Sequence, residues 1–385
     1  MNPIITGLPT TIFEVMSGLA RDLGAINLGQ GFPDSNGPDD VRARAAEALL
    51  NGDNQYPPMR GLPPLRQAVA DHYRRWQGLD LDWATEVTVT SGATEALMAA
   101  TMGLLQPGDE VVLFQPIYDA YLPDLRLAGA VPKYVRLSPP HWRITREALE
   151  AAFSDRTRMV ILNNPLNPTA TVYGEEDLAL LAEFCVRHDV VAVSDEVWEH
   201  LTFDDRPHLP LMAFPGMRDR TVKIGSAGKI FSLTGWKVGF ICAAPPLTEA
   251  LAKAHQFLTF TTAPNLQTAV AYGLGKDAAY FEEMRAGYAR SRDRLTAALE
   301  AEGFKVLRSQ GTYFLSIDLP VSGIDADDQT FAFRAVKDCG VATIPVSSFY
   351  AEDPVTSVVR LCFAKKDETL DAGVERLSRA RRLFA

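Results

Sequence analysis

The sequence predicts an α/β fold: a large domain with a mainly parallel sheet covered by helices on both faces, plus a smaller α+β domain. Three observations predict it. Through the middle of the chain, short β-rich runs alternate with longer helical patterns, as parallel strands joined by helical crossovers do. After about residue 277 the order changes to a long helical stretch, then strand, helix, strand and helix. The length, 385 residues, is ample for one large core and a second, smaller one. We place the large domain at 41–276 and the small domain at 277–385, joined by the N-terminal segment 1–40, which is rich in Gly, Pro and Asn.

The elements follow in chain order. EVTVT (86–90) and EVVLF (110–114) are the first strands, separated by the helical pattern TEALMAATMGLL (94–105). PKYVRL (132–137), RMVILN (158–163) and DVVAVS (189–194) come next; between the last two, EEDLALLAEFCVRH (175–188) has apolar residues at helical spacing. TVKIGS (221–226) and KVGFICA (237–243) complete the set. The smaller domain then reads as a helix (277–302), the strand TYFLSIDL (312–319), a helix (328–338), the strand SVVRLCFA (357–364) and a last helix (367–383).

Composition narrows the function. The chain is 47% hydrophobic and 22% charged, as globular proteins are. Its net charge is −10 and it has no cluster of Lys and Arg, so neither nucleic acid nor an anionic membrane surface is an expected partner. No run of about 18 apolar residues occurs, so no membrane span is expected. The four cysteines, Cys185, Cys242, Cys339 and Cys362, form no C-x-x-C and no cysteine–histidine cluster of metal-site type, so no metal site is expected. So few cysteines fit a reducing compartment, and the first residues, MNPIITGLPTTIFEVM, lack the basic region and long apolar stretch of a signal peptide. The expectation is a cytoplasmic protein.

In open α/β sheets, ligands sit beyond the carboxyl ends of the strands. After EVTVT, Ser91-Gly92-Ala93-Thr94 opens a helix; small residues there let backbone N–H groups approach an anion, or simply start the helix. After EVVLF, Tyr118 or Tyr121 can offer a ring to a planar ligand or form the edge of the core. After RMVILN, NNPLNPTA (163–170) makes a rigid turn that presents the Asn167 amide. Asp195, in SDEVWEH, ends an apolar strand, where a charge needs a cationic partner from the protein or a ligand, or a helix to cap. In SAGKIF, Lys229 stands among small and apolar residues, as a Schiff-base nucleophile or as a snorkelling lysine. The stretch is not a P-loop, because position 223 is Lys where glycine is needed and position 230 is Ile where Ser or Thr is needed. Arg360 lies within SVVRLCFA and should face something acidic, in a substrate or in a structural ion pair. Together a phosphate site, an aromatic plane, an amide, a buried carboxylate, an isolated lysine and a carboxylate-binding arginine fit one cofactor, pyridoxal 5'-phosphate, with an amino acid as substrate.

These stretches also resemble the class I pyridoxal-phosphate aminotransferases of fold type I over nearly the whole chain. INLGQGFPD (26–34), NQYPPMRGLPPLRQAVADHY (54–73), SGATEAL, NNPLNPT, SDEVWEH, SAGKIFSLTGWKVG and VRLCFAKK fall in that family's order and at compatible spacing. The nearest likeness is to the kynurenine/glutamine/methionine aminotransferase group. The resemblance implies that Lys229 carries the cofactor through its aldehyde and moves the proton, and that Asp195 pairs with the ring nitrogen. It implies that Asn167 contacts the ring hydroxyl oxygen, that Tyr118 stacks on the ring, and that Gly92, Ala93, Thr94, Ser226 and Lys237 hold the phosphate. Tyr56 would reach the phosphate of a neighbouring subunit, making the protein a homodimer with shared active sites. Arg360, aided by Gly31 and Asn167, would bind the substrate carboxylate, with Phe13 and, across the interface, Phe260 lining the side-chain pocket. The implied partners are an amino acid and a 2-oxo acid.

Two positions depart from the family pattern. Trp198 stands where many relatives have a tyrosine that contacts the ring oxygen, and an indole offers only an N–H. Ala170 stands where glycine is common, which is strained if that backbone needs positive φ. The aromatic pocket candidates and the lack of a placed second arginine favour neutral amino acids: methionine, glutamine, aromatic residues or kynurenine. A cysteine-conjugate-type C–S β-lyase on the same fold is the alternative, since the same residues serve it. A gene regulator with an aminotransferase-like domain is disfavoured, because no basic helix-turn-helix precedes the family-like pattern.

Overall fold

The computed structural model describes residues 1–384. A short strand, β1 (Ile26–Asn27), precedes seven strands that form the main sheet. These are β2 (Val87–Ser91), β3 (Glu110–Gln115), β4 (Val131–Arg136), β5 (Thr157–Asn163), β6 (Val191–Asp195), β7 (Thr221–Ser226) and β8 (Val238–Cys242). Their order in space is β2-β8-β7-β6-β5-β3-β4. Every neighbouring pair is parallel except those of β8, which runs antiparallel to both β2 and β7. The α/β architecture expected from the alternating pattern is therefore present, and the antiparallel β8 is what makes the sheet mainly rather than wholly parallel.

The two-residue alternation of strands splits the core into two layers. Val111, Leu113, Met159, Ile161, Val193 and Ile224 pack in one cluster, while their neighbours Val112, Phe114, Val160, Leu162 and Ala192 pack in another. Both faces are covered, which is why these strands read as continuous apolar runs.

The chain after residue 277 builds a second sheet. The helix Ala278–Ala301 leads to β9 (Lys305–Leu307) and β10 (Phe314–Asp318); then come β11 (Val341–Ala342), β12 (Ile344–Pro345) and β13 (Val358–Cys362). Four of these form an antiparallel sheet in the order β12-β13-β10-β9. β1 pairs in parallel with β11. The N-terminal helix Ile12–Asp22 buries Met16 and Ala20 against Ala332, Val336, Ala342 and Ile344. This seats the first residues on the second sheet's side of the molecule.

Several helices have no counterpart in the sequence reading, among them Pro63–Gln77, Pro245–Leu258 and Pro264–Leu274. Each opens on proline. Along a sequence proline reads as a breaker, yet the first helical turn needs no N–H from it and accepts its fixed φ.

The sheet's tightest internal fit lies one residue before Ser226. Gly225 pairs with Phe240, and a Cβ there would sit 2.2 Å from the Phe240 ring and 2.3 Å from the Tyr73 hydroxyl. Gly225→Ala is expected to destabilise the protein by about 1–3 kcal/mol, the usual cost of overpacking. Gly235→Ala, where nothing lies within 4 Å of the added carbon, is the control. Urea unfolding of both variants checks this; equal midpoints would show that the strand relaxes freely.

Candidate active site

Strand register does the first assembly. Asn163 and Asp195 end adjacent strands as direct partners, and Ser226 pairs with Gly239 at the mouth of β7 and β8. Ser91 ends β2 opposite Val238. All these ends open on one cavity of about 180 Å³. Its walls hold Gly92, Ala93, Thr94, Tyr118, Asn167, Asp195, Trp198, Ser226, Lys229 and Lys237. Ten residues singled out along more than a hundred positions of sequence thus meet around one space.

The floor is a buried carboxylate. The Tyr121 hydroxyl donates to Asp195 Oδ2 at 2.6 Å, and Asn163 Nδ2 donates to the Asp195 carbonyl at 3.0 Å. Asp195 Oδ1 is buried with no hydrogen-bond partner among the described residues. Burial pushes the Asp195 carboxyl up to about 6, against the Tyr121 hydrogen bond, the Val197 N–H and the nearby Lys229 charge. An acceptor so placed suits a donor on a ligand.

Lys229 sits on the short helix Ala227–Ile230 that follows β7. Its Nζ donates to the Tyr313 hydroxyl at 3.2 Å and lies 4.7 Å from the centre of the Trp198 ring. Burial pushes this amine down to about 8; Arg360 and Lys237 add repulsion, while Cys362 and Asp195 oppose it. At about 8 roughly a tenth of it is neutral at pH 7, far more than for an ordinary lysine, which makes it a usable nucleophile and base. Trp198 stands edge-on to Tyr313 at 4.5 Å, so the indole forms a wall beside the amine.

The cavity's other end is built for an anion. Gly92 opens the helix Gly92–Leu104 at φ +72°, and a Cβ there would press to 3.2 Å from Lys237 Nζ. At Gly239 a Cβ would lie 2.6 Å from the Gly92 carbonyl carbon, so β8 approaches the Gly92 backbone this closely only with glycine at 239. Lys237 Nζ lies 3.3 Å from Thr94 Oγ1. A helix N-terminus with a lysine beside it attracts negative charge.

Arg360 extends the site toward the second sheet. It is 1% exposed, in β13 between Ser316 of β10 and Ile344 of β12. Nη1 donates to Asn167 Oδ1 at 2.8 Å and Nη2 to the Gly29 carbonyl at 2.7 Å, while Nε is buried without a partner. Of the two acidic neighbours expected from the sequence, the structural ion pair is absent: the guanidinium sits over Phe314 at 3.9 Å, with Phe13 at 5.1 Å and Phe349 at 5.5 Å. Burial among these rings lowers it to about 10. Gly31 is tied in through its carbonyl, which accepts from the Tyr313 hydroxyl.

Tyr56 and Phe260 lie elsewhere. Tyr56 is 84% exposed and Phe260 38%, and their rings meet edge to face at 5.6 Å. Neither lines the cavity. Ala170 does have positive φ, +60°, at a cost of about 1–2 kcal/mol. Its carbonyl accepts from Gln310 and Gly311 N–H, which fixes the Asn167 turn against the chain entering β10.

Three residues of this geometry were not chosen from the sequence: Asn163, Tyr313 and, as a hydrogen-bond donor, Tyr121. Asn163 was legible as the last residue of an apolar strand. Tyr313 carried no signal, since a tyrosine opening a strand reads as core edge. Glu196, Glu199 and His208 bring ligand-capable atoms within 4.8 Å of one another. The Lys223 ammonium occupies that cluster, bonded to Glu196 and at 2.8 Å from Glu199, so the group is a neutralised salt bridge.

The chain is 42% identical over 381 residues to the methionine aminotransferase of Escherichia coli K12, spanning 98% of both proteins. It is 36% identical to the kynurenine–oxoglutarate transaminase of Dictyostelium discoideum, spanning 95% of this chain and 93% of that one. The solved structure of N-succinyldiaminopimelate aminotransferase from Mycobacterium tuberculosis matches it with a TM-score of 0.95 at 43% identity, over 98% of this chain and 99% of that one. With the family described as aminotransferase class I and II matching residues 24–377, the chain belongs to that family and is an aminotransferase.

Proposed function

We propose that this aminotransferase uses pyridoxal 5'-phosphate to move an amino group between a neutral L-amino acid and a 2-oxo acid, in two half-reactions that share one site. The observation that carries the cofactor reading is the unpartnered, buried Asp195 Oδ1 in the same cavity as Lys229 and the Gly92–Lys237 cradle. The residues present fit the group. Lys229 would hold its aldehyde, Asp195 its ring nitrogen and Asn167 its ring oxygen. Tyr118 and Trp198 would flank its ring, and Gly92, Ala93, Thr94, Ser226 and Lys237 would hold its phosphate. When bound, pyridoxal phosphate supplies an aldehyde and an electron-withdrawing ring that accepts the electrons of the substrate's Cα–H bond.

The chain's own residues do the rest. Arg360 anchors the α-carboxylate, with its Nε unpartnered and its two Nη groups held by Asn167 Oδ1 and the Gly29 carbonyl. That fixes the Cα–H near Lys229 Nζ, which takes the proton as general base and returns it. Tyr121 and burial together hold the Asp195 carboxylate in one orientation. Trp198 and the aromatic residues around Arg360 exclude water. Phe13, Phe314 and Phe349 give the substrate end an apolar wall, and the named activities of the Escherichia coli and Dictyostelium relatives agree with a neutral side chain. The 43% identity to a probable N-succinyldiaminopimelate aminotransferase supports a second reading, an acyl-substituted diamino acid. A homodimer in the cytoplasm, with Tyr56 and Phe260 serving the neighbouring site, belongs to the proposal, as does the division into domains at 41–276 and at 1–40 with 277–385.

Lys229→Ala is expected to keep the fold and lose about 10²–10⁴-fold in turnover, the usual contribution of a positioned base; near-wild-type rates would remove Lys229 from its role. Tyr121→Phe deletes a hydrogen bond to the ionised carboxylate worth about 1.5–3 kcal/mol, so the Asp195 midpoint is expected to rise above 6 by one unit or more. Isotope-edited infrared titration of the cofactor-free protein reads this, and an unchanged midpoint would mean that burial alone sets it. A panel of amino donors against several oxo acids is expected to show methionine or aromatic donors well ahead of aspartate. Preference for N-succinyldiaminopimelate would select the second reading, and pyruvate or ammonia released without an oxo acid would indicate a β-lyase.

A further inference from the structure

His255, on the helix Pro245–Leu258, is fully buried and outside the cavity's lining. Both ring nitrogens meet oxygens that only accept. Nδ1 faces the Glu95 carboxylate, and Nε2 faces the Met59 carbonyl at 2.8 Å. A ring that serves both must donate twice, which only the imidazolium does. The Thr259 hydroxyl, 3.4 Å from Nδ1, is a further polar neighbour. Burial opposes the charge, but the Glu95 hydrogen bond and its Coulomb attraction outweigh it, so the ring's pKa lies above the ordinary 6.5.

The charged surroundings are simple. Glu95, on the helix Gly92–Leu104, is the carboxylate in contact. The chain around Met59 contributes a backbone oxygen, and the adjacent Arg60 turns its guanidinium to the carbonyls of Ala84, Thr85 and Val87. On His255's own helix, the exposed Lys253 pairs with Glu249.

What the ring joins gives it a role. The second Glu95 oxygen accepts from the Ser91 N–H, immediately before Gly92. On the other side, Met59 follows Tyr56 by three residues. The His255 carbonyl accepts from the N–H groups of Thr259 and Phe260. We propose that His255, held as an imidazolium, is a positioning residue that ties the phosphate cradle at 91–94 to the exposed pair Tyr56 and Phe260; this rests on the cofactor reading above. Because the folded pKa is raised, the tie is complete below the ordinary value and is lost as pH rises through the folded one.

The test compares pyridoxal 5'-phosphate with unphosphorylated pyridoxal, titrated into cofactor-free wild type and His255→Gln. The variant is expected to bind the phosphorylated compound at least tenfold more weakly and pyridoxal unchanged. The wild type's preference for phosphate should fall as pH rises through the His255 midpoint, and that fall should be absent in the variant. Nitrogen-15 spectra of wild-type His255 at pH 7 should show both ring nitrogens protonated. A deprotonated nitrogen, equal weakening of both compounds, or a phosphate preference kept by His255→Gln would overturn this proposal alone. Wild type that binds neither compound would overturn the cofactor reading and this proposal with it.

Discussion

Three carboxylates, Asp195, Glu196 and Glu199, are buried within five residues at the end of β6, and the structure around the site depends on how their charges are met. Uncompensated, each would be costly in a low-dielectric interior. Lys223 of β7, with no exposed surface, answers two of them from the opposite face of its strand to the cavity. Despite burial, Lys223 and His208 hold Glu196 down at about 2. Ser194, Tyr73 and Gln77 complete the bonds to the pair. β6 and β7 are thereby locked in register beneath the site. Asp195 receives only the Tyr121 hydroxyl and backbone donors, and it alone of the three keeps an oxygen for something other than protein.

That asymmetry explains why some of the site could be read from the sequence. Asp195, Lys229 and Arg360 are charges set in apolar runs, and such charges demand partners. Gly92 was legible because a glycine after a strand and before a helix has a backbone reason to be there. Strands ending in Asn163, Asp195 and Ser226 were legible as well, since continuous apolar runs mark strands buried on both faces. Tyr313, His255 and the hydrogen bond that Tyr121 donates were not. An aromatic or imidazole in a helix or at a strand's start reads the same whether it fills space or aims one hydrogen bond. Their roles come from long-range juxtaposition: Tyr121 lies 74 residues from Asp195 and His255 lies 160 from Glu95.

Arg360 shows the reverse case. Its sequence setting asked for an acid, from a substrate or from the protein, and the fold itself supplies an amide, a carbonyl and three phenylalanine rings. A guanidinium can be held this way because its faces accept aromatic contact while its edge still donates. The arginine is therefore placed by the protein without being neutralised by it. Ala170 shows a different economy, a strained backbone kept in place because its carbonyl is gripped twice by the chain entering β10.

The reversal of β8 has a consequence for how this site can change. β7 and β8 are joined by residues 227–237, and the antiparallel return brings both ends of that loop to the same mouth, with Lys229 near its start and Lys237 at its end. A parallel crossover would bring the chain back at the opposite end of the strands, with the two lysines at opposite edges of the sheet. Here the pairing of Ser226 with Gly239 holds both ends of the loop, so strand register sets the amine and the anion cradle against each other. Residues added between them would bulge from the mouth, whereas slipping β8 along β7 would carry the cradle away from the amine.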